Sequence, residues 1–137
     1  MRISKEDYYL GIAEAVSKRS TCLRRQYGAV IVNQDEIVAT GYNGAPRGQV
    51  NCCDVGECWR ETNRIPHGQQ YEKCLAVHAE QNAIISAPRD KMIGATLYLY
   101  GSENGNTIDA FPCEICQRLI DNAGIICVES SKRDGDD

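Results

Sequence analysis

The chain has 137 residues, which suits one domain and is short for two. Its 15 basic and 19 acidic side chains give a formal net charge of −4, which argues against a protein that binds a nucleic-acid backbone. No apolar run approaches the roughly 20 residues that span a membrane, and the N-terminal residues lack the apolar core of a signal peptide. These features favour a cytoplasmic protein that acts on a small molecule and binds neither membranes nor nucleic acids.

The first half of the chain predicts a helix, a hairpin and a long loop. Residues 4–18 carry a capping signal and apolar side chains at helical spacing, so they predict an amphipathic helix. Two β-rich runs, 27–32 and 37–42, flank a short polar turn and predict two buried strands of a β-hairpin. Residues 43–71 hold most of the turn-forming residues and predict a loop long enough to need an additional anchor.

The second half alternates helices and strands. Helical spacing returns over residues 72–87 and ends before a proline. A strand is predicted over 95–100, a polar loop over 102–110, a helix over 114–122 and a last short strand over 125–128.

This order of elements predicts the fold class. With right-handed crossovers, the sequence α-β-β-α-β-α-β gives an α/β fold in which helices cover both faces of a mixed sheet. We find no internal repeat in the sequence. One domain is therefore expected over residues 1–129, followed by a charged and frayed tail over 130–137.

Two short motifs place metal-binding side chains near the starts of two predicted helices. One motif contains His78 and Glu80, and the other contains Cys113 and Cys116 after Pro112. Residues three apart share a helix face, so both thiolates can point at one ion, to which the imidazole adds a third ligand. Three protein ligands leave one position of a tetrahedral zinc open for water, whose pKa the metal lowers from about 15.7 to roughly 7. The motifs therefore predict a catalytic zinc site.

Glu80 is not a ligand in this arrangement. Beside the water, its carboxylate can take a proton, deliver it to a ring nitrogen and then protonate a departing amine. A lone C-x-x-C is often a structural zinc knuckle or a redox pair, and a lone H-x-E usually has no function. Together they match the H-x-E…P-C-x-x-C pattern of zinc nucleobase deaminases. A non-enzymatic zinc module would need a closed four-ligand site and would have no use for Glu80.

Further segments carry a more specific resemblance. They are Thr21-Cys22-Leu23-Arg24-Arg25, Gly28-Ala29-Val30, Gly41-Tyr42-Asn43-Gly44-Ala45-Pro46 and His78-Ala79-Glu80-Gln81-Asn82-Ala83-Ile84. Over about residues 3–128 the chain resembles the deoxycytidylate (dCMP) deaminase family. The zinc motif is shared by the whole superfamily, whereas Gly-Tyr-Asn-Gly is more particular to this branch. The resemblance implies a three-layer α/β/α cytidine-deaminase-like fold with a central mixed sheet.

The resemblance also implies a function. The expected reaction is zinc-dependent hydrolysis of dCMP to dUMP and ammonia, which supplies dUMP for thymidylate synthesis. A homo-oligomer, commonly a hexamer, is expected, with activation by dCTP and inhibition by dTTP. By resemblance, Asn43 would hydrogen-bond the sugar and the backbone of Ala79 would contact the pyrimidine. Asn43 also has a plain interpretation as a turn residue before Gly44.

Two arginines precede the first predicted strand, where a substrate phosphate could be met. The planar guanidinium groups of Arg24 and Arg25 suit phosphate oxygens. Exposed arginines are more often solvated charges, so the sequence leaves both interpretations open.

The remaining cysteines suggest a second metal. A disulfide framework would need an oxidising compartment, which no targeting signal supports. A closed zinc site with four thiolates would anchor the long loop. Similar dCMP deaminases carry such a site, and the expected ligands are Cys22, Cys53, Cys58 and Cys74. His67 or Cys52 could replace one of them, and buried free thiols are the alternative. Cys127 is interpreted as a small core residue.

Two features depart from the family. The loop over 102–111 is longer than usual before the Pro-Cys motif, and the chain ends soon after Cys127. Related activities also stay open: a deaminase of cytidine, deoxycytidine or a modified cytosine nucleotide, or an RNA-editing adenosine deaminase. The last would need a basic surface, which this acidic chain does not predict.

Overall fold

The computed structural model describes residues 2–48 and 76–133. Within them, four helices and five strands are present, numbered here in chain order. The helices are α1 (Lys5–Ser17), α2 (Ala79–Ser86), α3 (Arg89–Met92) and α4 (Glu114–Ala123). The strands are β1 (Arg25–Asn33), β2 (Glu36–Tyr42), β3 (Thr96–Glu103), β4 (Asn106–Ile108) and β5 (Cys127–Ser130). None of these helices has the length and apolar character that crossing a membrane requires.

The strands form one mixed sheet, as predicted. Its order is β2-β1-β3, and both β4 and β5 pair with the remaining edge of β3. The β1–β2, β1–β3 and β3–β4 pairs are antiparallel, whereas β5 runs parallel to β3. The parallel pair requires a crossover, which contains α4.

Helices cover both faces of the sheet. As a result, alternate residues of β1 are buried in two different clusters, one on each face. Ala29 and Ile31 belong to the core cluster that contains the buried alanines of α2 and Ile120 of α4. Val30 and Val32 belong to the second cluster, with Tyr9 and Ala13 of α1. The three-layer α/β/α arrangement is therefore confirmed.

Two glycines let helix backbones approach the sheet closely. A methyl group at Gly28 would overlap the backbone of α1 at Ala13, and one at Gly41 would overlap the backbone of α2 at Ala79 and Ala83. Any larger side chain would therefore displace a helix. Because α2 begins with the H-x-E motif, Gly41 helps to set the depth of the site.

The first helix and the hairpin confirm the prediction. Ser4 caps α1, and its Oγ accepts the backbone N–H of Asp7 at 3.1 Å. The second strand is less buried than predicted, because β2 lies at the edge of the sheet and several of its residues are exposed.

The polar loop predicted over 102–110 is wrong. Ser102 lies within β3, and β4 pairs back against that strand to form a second hairpin. Asn104 and Gly105 form its turn with φ values of 52° and 81°, as expected where a two-residue connection needs two positive φ angles. The Asn-Gly dipeptide was the signal for this hairpin, and the surrounding polar residues obscured it.

Other boundaries also differ from the prediction. The helix predicted over 72–87 begins later than expected. Residues 76–78 are not helical, and α2 starts at Ala79; residues 72–75 lie outside the described part. The last strand is shifted from 125–128 to 127–130. Cys127 is half-buried and donates its thiol to Glu129 at 3.4 Å, so it is not a core residue.

The predicted tail contributes to the fold at its beginning. Ser130 belongs to β5, and the buried Ser131 hydroxyl donates to the carbonyl of Ile108 and accepts the N–H of Gly101. Residues 134–137 lie outside the described part. The single domain over 1–129 stays a prediction, with ordered structure extending beyond its expected end.

Candidate active site

Three predicted metal ligands converge at the facing ends of α2 and α4. Within residues 2–48 and 76–133, His78, Cys113 and Cys116 are the one group of His, Cys, Asp and Glu that could hold a metal, with ligand atoms within 4.8 Å of one another. Nδ1 of His78 lies 3.2 Å from Sγ of Cys116 and 3.6 Å from Sγ of Cys113.

Local structure places the histidine. His78 is the N-cap of α2, and its extended backbone turns the chain into the helix. The preceding residue, Val77, exchanges two backbone hydrogen bonds with Gly44 at 2.6 and 3.1 Å. This bridge fixes the approach to the helix against the end of the hairpin.

The two cysteines occupy the first turn of α4. Cys113 is its N-cap, and its sulfur accepts the backbone N–H of Cys116 at 3.4 Å. Cys116 is completely buried. The spacing of three residues directs both sulfurs to the same side of the helix.

Glu80 lies beside this group in the second position of α2. Only 5% of its surface is exposed, and its carboxyl group hydrogen-bonds with the Cys116 thiol. Burial raises the pKa of Glu80, and the hydrogen bonds oppose part of that rise. This interaction places the carboxyl group next to one of the three donors, where a general acid–base group for a metal-bound water is needed.

The electrostatics of the donor group fit a divalent cation. Burial, reinforced by the charge of Glu80, raises the pKa of the Cys116 thiol well above its usual range. Burial also lowers the pKa of His78, which favours the neutral imidazole that ligates metals. Negative charge is therefore disfavoured at this site until a cation compensates it. One imidazole and two sulfurs form a donor set that suits zinc and leaves one tetrahedral position open.

Asn43 is buried near the start of β1, and its side chain makes three hydrogen bonds within the protein. Its Oδ1 accepts the Ser20 hydroxyl at 2.6 Å and the Tyr27 N–H at 2.9 Å, and its Nδ2 donates to the Arg25 carbonyl at 2.9 Å. These bonds tie three segments together. One Nδ2 hydrogen remains beyond these three bonds, and a sugar contact would have to use it.

Ala79 is fully buried as the first residue of α2. The N–H groups in the first turn of a helix lack an intrahelical acceptor. The backbone of Ala79 therefore suits the predicted contact with the pyrimidine.

The two predicted phosphate-binding arginines have different surroundings. Arg25 is paired with Glu103 across β1 and β3 in a half-buried ion pair. This pair raises the pKa of the guanidinium against the opposing effect of burial. Arg24 precedes β1 and is half-buried. Because the Arg25 charge is already balanced, Arg24 is the better candidate for a phosphate contact.

The second zinc site falls mostly on residues that the structure does not describe. Cys53, Cys58 and Cys74, with the alternatives Cys52 and His67, lie outside the described residues. Cys22 is half-buried, and its backbone N–H donates to Ser20 Oγ at 3.2 Å.

Sequence reasoning missed residues that support the site. Gln81 accepts the backbone N–H of His78 at 2.9 Å, and Asn82 donates its side-chain N–H to the Tyr42 carbonyl at 2.8 Å, which ties α2 to β2. A glutamine three residues after an N-cap is half of a capping box. The histidine at the cap, in place of serine or threonine, obscured that signal.

Comparison with known proteins supports this description of the site. The family model described as "Cytidine and deoxycytidylate deaminase zinc-binding region" matches residues 3–129. The deoxycytidylate deaminase of Mycobacterium phage D29 is 39% identical over 124 residues, which cover 88% of each chain. That of Schizosaccharomyces pombe is 37% identical over 90% of this chain, which spans only 36% of the yeast protein's length.

Solved structures show the same fold. The dCMP deaminase of cyanophage S-TIM5, crystallised in apo form and in complex with dCMP and dUMP, has a TM-score of 0.62. The apo structure is 28% identical and covers 95% of this chain and 84% of its own. RibD of Acinetobacter baumannii, at 18% identity and a TM-score of 0.56, shares the fold alone. Because the family model matches nearly the whole of this chain, the chain belongs to the cytidine and deoxycytidylate deaminase zinc-binding family.

Proposed function

We propose that this protein hydrolyses dCMP to dUMP and ammonia. The observation that carries the proposal is the buried carboxyl group of Glu80 in contact with a His/Cys/Cys group that leaves one metal position open. Two deoxycytidylate deaminases support the choice of nucleotide. The alignment with this chain covers 88% of the protein from Mycobacterium phage D29 and 74% of the protein from Enterobacteria phage T4.

The roles of the chain's residues follow from their positions. His78, Cys113 and Cys116 would hold zinc, which when bound acts as a Lewis acid that makes water nucleophilic at neutral pH. Glu80 accepts one proton from the attacking water and delivers it to the ring nitrogen. It then takes the second proton of that water from the hydroxyl group formed on the ring carbon and delivers it to the departing amine, as the carbon–nitrogen bond breaks and the carbonyl forms. Because Glu80 is buried, bulk water competes little for these protons.

Substrate recognition is assigned to groups at the edges of the site. The backbone N–H of Ala79 contacts the pyrimidine, and the remaining Nδ2 hydrogen of Asn43 contacts the sugar. Ser20 and Tyr27 already occupy Oδ1 of Asn43 as donors, so they fix which amide atom faces the substrate.

An ammonia-release screen tests the proposed substrate. Purified protein loaded with zinc is assayed on cytidine, deoxycytidine, CMP, dCMP and dCTP, and we expect the highest kcat/KM with dCMP. Equal turnover of deoxycytidine and dCMP would show that the enzyme does not recognise the phosphate and acts as a nucleoside deaminase. Release of ammonia from none of the five would overturn the proposal.

The phosphate contact is assigned to Arg24, and its replacement gives a selective prediction. A charge-assisted hydrogen bond contributes about 1.5–3 kcal/mol, so Arg24→Ala should lower kcat/KM for dCMP roughly ten- to a hundred-fold. Deoxycytidine turnover should stay nearly unchanged, and the salt dependence of dCMP turnover should weaken.

Arg25→Ala provides the matched control for this prediction. Its charge is held by Glu103, so the change should lower stability and affect nucleoside and nucleotide alike. If Arg24→Ala reduces turnover of both substrates equally, the arginine supports the fold and does not bind the phosphate.

We also propose further properties that the family implies for this chain. They are a homo-oligomer, commonly a hexamer in the family, activation by dCTP, inhibition by dTTP, a cytoplasmic location and a second zinc with Cys22 among its ligands. Sedimentation with and without dCTP tests the assembly and its regulation. Metal analysis that finds two zinc ions per chain supports the second site, and a single zinc contradicts it.

A further inference from the structure

The main chain of His78 is held from three directions. Val77 is bound to Gly44 on one side, and the His78 carbonyl accepts the N–H of Asn82 at 3.1 Å on the other. The His78 N–H is bound by Gln81, whose side-chain Oε1 lies 2.9 Å away. The first two contacts are formed between backbone groups, whereas the third depends on the identity of one side chain.

The position of this backbone matters because the histidine presents Nδ1 to the two sulfurs. Nδ1 is separated from Cβ by only one ring atom, whereas Nε2 lies at the far end of the ring. A rotation of the backbone therefore moves Nδ1 almost directly, with little freedom for the ring to compensate. Zinc–nitrogen bonds tolerate only small deviations from about 2.0–2.1 Å.

The geometry points to Gln81 as a positioning residue for the metal site: its side-chain carbonyl holds the His78 backbone so that Nδ1 meets Cys113 and Cys116. Partners that hydrogen-bond the side chain of a metal ligand typically contribute ten- to a hundred-fold to metal affinity, and we expect an effect of that order from Gln81, which acts through the backbone of the ligand. The inference rests on the metal-binding role proposed for His78 and not on the identity of the nucleotide.

The surroundings of Gln81 allow it to be replaced without breaking the fold. Gln81 is half-buried and lies at an open surface depression between α2 and α4, together with Ile115, Leu119 and other residues of α4. Methionine has a similar length and helix propensity but no acceptor oxygen. Glutamate keeps the acceptor and is the usual alternative in a capping box.

Zinc affinity measured by competition with a chromogenic chelator tests the role of Gln81. We expect Gln81→Met to bind zinc at least ten-fold more weakly than the original chain, and Gln81→Glu to stay within about three-fold of it. Gln117→Met is the matched control, because Gln117 is exposed on α4 and its side chain binds Asp121. That variant should bind zinc as tightly as the original chain.

A second measurement separates positioning from simple helix capping. A cap alone would lower the melting temperature equally in the metal-free and zinc-loaded proteins, whereas a positioning residue reduces mainly the stabilisation that zinc adds. Unchanged zinc affinity in Gln81→Met, or an equal loss of stability in both forms, overturns the inference. If Gln81→Met does not fold, Gln81→Ala is measured against Gln81→Glu by the same criteria. A wild-type protein that binds zinc but fails the ammonia screen would leave this inference intact and overturn the proposed reaction.

Discussion

Glu80→Gln is expected to reduce the rate of dCMP deamination by about 10⁴-fold or more. A general acid–base group typically contributes about 10²–10⁴-fold, and Glu80 serves several proton transfers. The amide matches the carboxyl group in size, so it fits the same buried position, but it cannot accept a proton from water. The three metal ligands are unchanged, and zinc content should stay the same. Steady-state kinetics and metal analysis of the same preparation measure both quantities.

A second carboxylate provides the control for this experiment. Glu36 begins β2 and is exposed, so Glu36→Gln removes the same charge without touching the site. This variant should keep full activity. A Glu80→Gln protein within a few-fold of the original activity would show that another group moves the protons.

The second large effect is expected from removing a metal ligand. His78→Ala or Cys113→Ala leaves two of the three donors, so the zinc of this site should be lost and deamination with it. Inductively coupled plasma analysis of freshly purified protein gives the zinc content per chain. If the original chain holds two zinc ions, each variant should retain one.

Cys127→Ala is the control for ligand removal. Cys127 is half-buried and bound to Glu129, and it is not part of the His/Cys/Cys group. Its replacement should change neither zinc content nor activity. Retention of full zinc in Cys113→Ala would contradict the assignment of the ligands.

Much of the fold was predictable because its elements carry strong local signals. The cap at Ser4 defined α1, and the β-rich runs defined β1 and β2. The first strand of the second hairpin was predicted over 95–100, but its extension to Glu103 and the return strand β4 were missed because polar residues at the end of a hairpin resemble those of a loop. The shift of the last strand to 127–130 reflects tertiary pairing with β3, which local propensity does not encode.

The metal ligands of the site could be predicted from the sequence, but the contacts that support the site were missed. The ligand types and spacing named His78, Cys113 and Cys116 because zinc chemistry restricts which side chains can serve. The supporting contacts of Asn43 could not be read from the sequence, because they depend on which groups a long-range fold brings within hydrogen-bond distance. The Gln81 contact is local, three residues from His78, and was missed because a histidine at the cap obscured the capping-box pattern.

The positions of the ligands along the chain have a consequence for how the protein folds. His78 precedes β3 in the chain, whereas both cysteines follow β3. Cys113 and Cys116 lie 35 and 38 residues after His78. The two sides meet only after β3 has docked beside β1 and the chain has crossed to α4, a non-local step that is slow in folding. A nascent chain would therefore capture its metal late, after the central strands have paired. Zinc retention would then report that β1 and β3 have paired and that α4 has docked, whereas before that step the histidine and the two cysteines would remain apart.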